Sequence, residues 1–192
     1  MTKLVALVLL SLAACGGDDG KTSPDSPPPP HPDARPPDSP NLTCSPADPN
    51  SCAGETICIG TTCEPAFDRI YRFSSIAITA AAKNPGGSAW DPFGGAPDPF
   101  VEVKLNATSI LVTANHSDVF AATYTESVEQ QIVAGSALEM TMSDADIGGN
   151  DLMLDCTIDP LTADALRHGV VECDGSGPTA GSTIVMHIDV KG

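Results

Sequence analysis

From residue 67 onward, apolar residues recur at every second position, a period satisfied by a strand with one buried face. Val101, Val103 and Leu105 alternate with Glu102 and Lys104, and Leu138, Met140 and Met142 alternate with Glu139, Thr141 and Ser143. Leu152, Leu154, Cys156 and Ile158 repeat the pattern, as do Ile184, Met186, Ile188 and Val190. The run 70–80 is a further strand whose apolar parity switches between Phe73 and Ile76, which predicts a β-bulge. Shorter runs at 110–114, 120–124 and 170–173 complete eight strands. One helix is signalled, with Asp159 as N-cap, Pro160 at its first position, Arg167 and His168 in the last turn and Gly169 as the stop. Short strands separated by turn residues predict an all-β fold, an eight-stranded antiparallel β-sandwich over 67–192. Aromatic residues make up only 4% of the chain, so Ile, Val, Leu and Met must fill its core.

The chain before this domain has a different character. Lys3 precedes an apolar run at 4–12, and residues 1–14 are too short to span a bilayer and read as a secretion signal peptide. The sequence Leu12-Ala13-Ala14-Cys15 resembles the lipobox of bacterial lipoproteins. That resemblance implies that Cys15 becomes the acylated first residue of the mature chain, held to the membrane through its lipid. Gly16, rather than Asp, follows it, which implies delivery to the outer membrane of the cell envelope. Residues 15–43 are rich in Pro, Asp and Ser around Pro27-Pro28-Pro29-Pro30, a composition that predicts a disordered, semi-rigid linker. At about 3.1 Å per residue it would reach on the order of 80 Å.

Of seven cysteines, six remain once Cys15 is assigned to lipid, and an even number in an exported chain reads as disulfides. Cys44, Cys52, Cys58 and Cys63 define a small module at 44–65 that cannot fold on apolar burial alone. Four cysteines allow three connectivities, among which sequence does not choose. The working pairing is Cys44 with Cys58 and Cys52 with Cys63. A four-cysteine zinc site is the rival, but the short C-x2-4-C pairs of structural zinc are missing. Cys156 is expected to pair with Cys173.

Five aspartates carry the chemistry. Asp91 and Asp98 fall in Trp90-Asp91-Pro92-Phe93-Gly94-Gly95-Ala96-Pro97-Asp98-Pro99-Phe100, and Asp144, Asp146 and Asp151 in the turn after the 138–143 strand. Two such loops at one end of a sandwich would pool their carboxylates as a Ca²⁺ site, since Ca²⁺ takes six to eight oxygens from flexible loops. Trp90 reads as a core aromatic closing that end of the sandwich. The order of these features resembles a C2 domain, the calcium-dependent phospholipid-binding sandwich of protein kinase C and the synaptotagmins. Pro97-Asp98-Pro99-Phe100-Val101-Glu102-Val103 is similar to the Ser-Asp-Pro-Tyr-Val-x-Val of that family, and Asp144-Ala145-Asp146 with Asp151 is similar to its third calcium loop.

The resemblance implies Ca²⁺ held by Asp91, Asp98, Asp144, Asp146 and Asp151, with Phe93 and Ile147 at the loop tips as membrane or ligand contacts. The chain departs from the family in lacking its Asn-Pro-x-Trp-Asn signature and its lysine-rich strand. Residues 67–192 hold 17 acidic and 6 basic residues, a balance of −11, which disfavours phosphoinositides and excludes nucleic acid.

An EF-hand is a second calcium reading, with Asp144, Asp146, Gly149 and Asp155 at loop positions one, three, six and twelve, but its flanks should be helices and these alternate as strands. No enzyme is indicated. His116-Ser117-Asp118 is contiguous, which a catalytic triad is not, and no Gly-x-Ser-x-Gly, nucleotide loop or His-Glu-x-x-His occurs. The expectation is a surface-anchored lipoprotein whose C2-like domain uses calcium to bind lipid or another envelope or extracellular ligand. The alternatives are an interaction or adhesion lipoprotein, calcium-rigidified or metal-free, that binds a protein or glycan partner.

Overall fold

The computed structural model describes residues 43–91, 95–147 and 149–191. The expected signal peptide, Cys15 and nearly all of the expected linker lie outside them. Two antiparallel sheets form a sandwich. The first is ordered β10 (Val170–Asp174), β11 (Thr183–Val190), β3 (Arg69–Thr79) and then β6 (Ala121–Tyr124) with β7 (Val128–Ile132). The second is ordered β5 (Thr108–Val112), β4 (Pro99–Leu105), β8 (Leu138–Asp144) and β9 (Asp151–Ile158). The alternation of β4 and β8 places Val101, Val103, Met140 and Met142 in the interior, fully buried, opposite Tyr71, Phe73, Ile76, Ile184 and Met186. Few aromatics are present, and four methionines (Met140, Met142, Met153 and Met186) fill the gaps, a task their flexible thioethers suit.

The bulge expected in β3 is present. Tyr71 and Phe73 point inward, Ser75 takes a left-handed φ of 50°, and Ile76 and Ile78 then point inward with the opposite parity. The register with β11 slips there, His187 opposing Ser74 and Val185 opposing Ala77. The same bend breaks the outer strand, so β6 pairs with residues 76–79 and β7 with 69–73. Sequence alternation misses β7, whose Val-Glu-Gln-Gln-Ile carries little apolar signal, yet β6 and β7 share one strand position and the sandwich keeps eight.

Two local expectations are corrected. In β9, Leu152 is exposed while Met153 is fully buried, because a bulge beside Met142 and Ser143 inserts Met153 and flips the face of what precedes it. The helix α1 (Ala163–His168) begins at Thr162, whose hydroxyl accepts the Ala165 N–H, and not at Asp159. Leu161 is drawn into the core, and its N–H donates to the Ser136 carbonyl, so the chain must stay extended up to that point. Gly169 ends the helix as expected, in the left-handed conformation at φ 65°.

The four-cysteine module contains a hairpin of β1 (Thr56–Ile59) and β2 (Thr62–Pro65), bridged by Cys44–Cys58 and Cys52–Cys63. With all four sulfurs in disulfides, none is left as a thiolate for zinc. Cys156–Cys173 ties β9 to β10, one strand from each sheet. The module packs on the sandwich: Ile57 and Ala66 are buried in the common core, and the Tyr71 hydroxyl donates to the Ala66 carbonyl at 2.6 Å.

Arg167 of α1 fastens the two parts. Its guanidinium donates to the Gly54 and Thr56 carbonyls at 2.6 and 3.1 Å and to Asp164 at 2.9 Å. Hydrogen bonds from a charged donor contribute about 1.5–3 kcal/mol each. Arg167→Ala should lower the unfolding free energy of the intact chain by about 2–3 kcal/mol in urea denaturation, and Arg167→Lys should recover only part of this, since an ammonium lacks the planar fork.

Candidate metal centre

Chain direction brings three connections to one end of the sandwich: 80–98 between β3 and β4, 113–120 between β5 and β6, and 145–150 between β8 and β9. Trp90 fixes the first. Its ring is buried and its Nε1–H donates to the Ala81 carbonyl at 2.8 Å, which holds the adjoining Asp91 at the sandwich end. An Asn84 turn supports it, the Asn84 Oδ1 accepting from the Gly86 and Ser88 N–H groups at 3.0 Å each.

Pro97, Asp98 and Pro99 stitch the loops together. The Val119 N–H donates to the Pro97 carbonyl at 2.9 Å, and the His116 N–H to the Pro99 carbonyl at 3.1 Å. The buried Tyr124 hydroxyl also donates to the Pro99 carbonyl, at 2.6 Å. Between them the Asp98 carbonyl accepts the Ala145 N–H at 3.0 Å. The Asp98 N–H donates to Asp144 Oδ1 at 2.6 Å, and Asp98 Oδ1 accepts the Asp118 N–H at 2.7 Å.

The carboxylates gather in two overlapping groups. One oxygen each from Asp91, Asp98 and Asp118 lie within 4.8 Å of one another, and so do oxygens from Asp91, Asp144 and Asp146. Asp144 is completely buried, and its Oδ2 has no hydrogen-bond partner among the described residues. Among those residues none of the five aspartates makes an ion pair. Burial, then the charges of Asp98, Asp146 and Asp118, push the Asp91 carboxyl above its usual range. Burial also raises Asp144, reinforced by Asp146, Asp91 and Asp98 and opposed by the Asp98 N–H.

A buried carboxylate with one oxygen unpaired, facing two more carboxylates, is costly unless something positive sits between them. Gly95 lies against the other group, where a Cβ would come within 2.8 Å of Asp91 Oδ2 and 3.2 Å of Asp118 Oδ1. An all-oxygen donor set on three loops fits a hard divalent cation of the calcium class.

Four of the five aspartates expected as ligands therefore converge. Asp151 opens β9 opposite Asp144, is exposed, and joins neither group. Asp118 joins the cluster although sequence reasoning does not select it. The signal for it is topological, since strands at 110–114 and 120–124 running in opposite senses bring their connection to the same end as the other two loops. Ile147 stands fully exposed at the third loop's tip, while Phe93 lies outside the described residues. The EF-hand arrangement does not occur, because the flanks of 144–151 are the strands β8 and β9 and Asp155 accepts from the Thr141 hydroxyl at 3.0 Å.

The raised carboxyls bind protons more tightly folded than unfolded, so their contribution to stability falls as pH rises through the carboxylate range. Asp144→Asn removes that buried charge while keeping an oxygen for the Asp98 N–H. In chelator at neutral pH the variant should be about 1–3 kcal/mol more stable than the parent, the usual cost of an unsatisfied buried polar group, and should lose any calcium-induced rise in melting temperature.

No protein-family model matches the chain, and no curated protein matches it in sequence. Solved structures do match. A structure of extended synaptotagmin 2 containing its SMP domain and two C2 domains aligns with a TM-score of 0.50 at 12% identity, over 66% of this chain and 28% of that one. The tandem C2 domains of the same protein, calcium bound, align at 0.50 and 13% identity, over 64% and 45%. A C2 domain of plant extended synaptotagmin 1 gives 0.49 and 14% identity, over 65% and 95%. At these identities the likeness concerns architecture: the sandwich has the C2 fold.

Proposed function

We propose that this chain is a lipid-anchored envelope protein whose C2-fold domain binds Ca²⁺ at the three-loop end and uses the loaded loops to dock on a lipid surface. The observation that carries the reading is Asp144, fully buried with one oxygen unpaired and grouped with Asp91 and Asp146. Asp91, Asp98, Asp144 and Asp146 would hold the cation, and open coordination positions would accept phosphate or another acidic oxygen ligand. Affinity in the range typical of extracellular modules, on the order of 10⁻⁴–10⁻³ M, suffices outside a cell.

Charge supports a docking mode that depends on the metal and on apolar contact. Of the domain's cations, Arg69 pairs with Glu64, Lys104 with Glu102, Arg167 with Asp164 and Lys191 with Glu129. Four of the six basic residues at 67–192 are thus paired with acidic neighbours, while Arg72 and Lys83 make no ion pair among the described residues. Ile147, wholly exposed beside the carboxylates, offers the apolar contact. No group in this reading has a catalytic task.

The test is sedimentation of the full chain with phosphatidylcholine–phosphatidylserine vesicles, using Cys15→Ser so that no acyl chain contributes. Binding should require millimolar Ca²⁺ and vanish in chelator. Ile147→Asp should weaken it at least tenfold while leaving the calcium-induced thermal shift intact. Equal sedimentation of parent and variant would remove the loop tip from the docking surface, and sedimentation unaffected by chelator would remove calcium from the mechanism.

A further inference from the structure

We propose that the seam between the four-cysteine module and the sandwich docks a basic segment of a partner protein, with one lysine or arginine side chain seated in the hollow beside α1. This site is separate from the three-loop end and does not depend on calcium.

The module, the end of α1 and the end of β11 line a hollow of about 270 Å³. That is smaller than the pockets of about 300–1,000 Å³ that enclose whole small molecules, and it suits one long side chain. Its walls are largely apolar, with Pro49 from the module, Leu166 from α1 and Val190 from β11. Asp48 and Asp189 belong to the same lining and are exposed. Lysine and arginine have the matching division, since they lay their methylenes on apolar surface and keep the charged head at a polar rim.

Both carboxylates are available to such a head. Neither makes an ion pair among the described residues. Asp48 Oδ1 accepts the Asn50 N–H at 3.0 Å, which leaves its second oxygen. Arg72 stands opposite Asp189 across the β3–β11 pair but donates to the Ser127 hydroxyl at 3.1 Å. His168 Nδ1 lies 2.8 Å from the Asp164 carbonyl and so carries the proton, which leaves Nε2 of the neutral ring as a further acceptor. Arg167 also lines the hollow, but its side chain is only 13% exposed and its charge is offset by Asp164 and two carbonyls. A second hollow against α1, of about 350 Å³, repeats this chemistry with Glu55 and Asp164 beside Phe67 and Pro160. The acidic and apolar character thus continues past the first hollow, which favours a segment with more than one basic residue.

Fluorescence anisotropy of a labelled octalysine peptide tests this, with the full chain carrying Cys15→Ser, disulfides oxidised, in millimolar Ca²⁺ and about 0.1 M salt to screen the loop carboxylates and long-range attraction. The parent should bind, and Asp48→Asn combined with Asp189→Asn should weaken binding at least about tenfold, because two charged acceptors are lost. Glu139→Gln combined with Glu172→Gln removes the same charge from strands β8 and β10 and should change binding less than about twofold. Asn at position 48 keeps an oxygen for the Asn50 N–H, and melting of each variant confirms that it folds. Equal loss in the two double variants, or none in the first, overturns the site. A parent that leaves the peptide free also overturns it, even if that parent sediments with vesicles, and the calcium reading then stands alone.

Discussion

Asp98 lies between two prolines that have no N–H to give, so its own amide is the one donor of the Pro97-Asp98-Pro99 segment, and it goes to Asp144. The three carbonyls of this segment accept from Val119, Ala145 and His116, and Pro99 accepts also from the Tyr124 hydroxyl. The backbone of the first loop thus fixes the second loop on one side and the third on the other. Each carbonyl that serves as a fastener keeps a carboxylate nearby. Asp98, Asp118 and Asp144 lie where they do because their main chains are held, not because their side chains attract one another.

That fastening imposes a charge problem on the fold. Five aspartates meet with no cation among the described residues, and the innermost, Asp144, is removed from water altogether. Stability elsewhere offsets this: a methionine- and isoleucine-rich core, a disulfide joining the two sheets, and the four-cysteine module clamped by Arg167 at the opposite end. The protein is accordingly polarised. One end is cross-linked and closed, and the other is open, acidic and tipped by the exposed Ile147. Such a distribution of strain is common where binding chemistry resides.

Much of this is legible in the chain. Period-two alternation locates β4, β8 and β11, and the parity change after Phe73 locates the β3 bulge, because a buried face imposes a strict period that a bulge must break. What alternation does not show is decided by tertiary context. The Leu152 side chain lies outside because a bulge inserts Met153, and nothing in Leu-Met-Leu says which residue is extra. The helix starts at Thr162 because the core captures Leu161, although Asp159-Pro160 carries equally good local start signals. β7 is polar along most of its length and gives no periodic signal. At the site, Asp91, Asp98, Asp144 and Asp146 stand out by clustering and by resemblance. Asp118 does not, since its part depends on where strand directions deliver a loop, and Asp151 matches a pattern that the β8–β9 pairing does not use.

The most direct measurement of the central claim is the melting temperature of the intact chain, disulfides oxidised, in millimolar Ca²⁺, in Mg²⁺ and in chelator. Ligand at about ten times its dissociation constant stabilises by about 1.4 kcal/mol, a rise of roughly 3–6 °C for a domain of this size. The account predicts that rise with Ca²⁺ and little with Mg²⁺, which dehydrates reluctantly and demands a stricter octahedral geometry. Identical melting in all three conditions would contradict it, and the buried carboxylate of Asp144 would then be an uncompensated charge rather than half of a metal site.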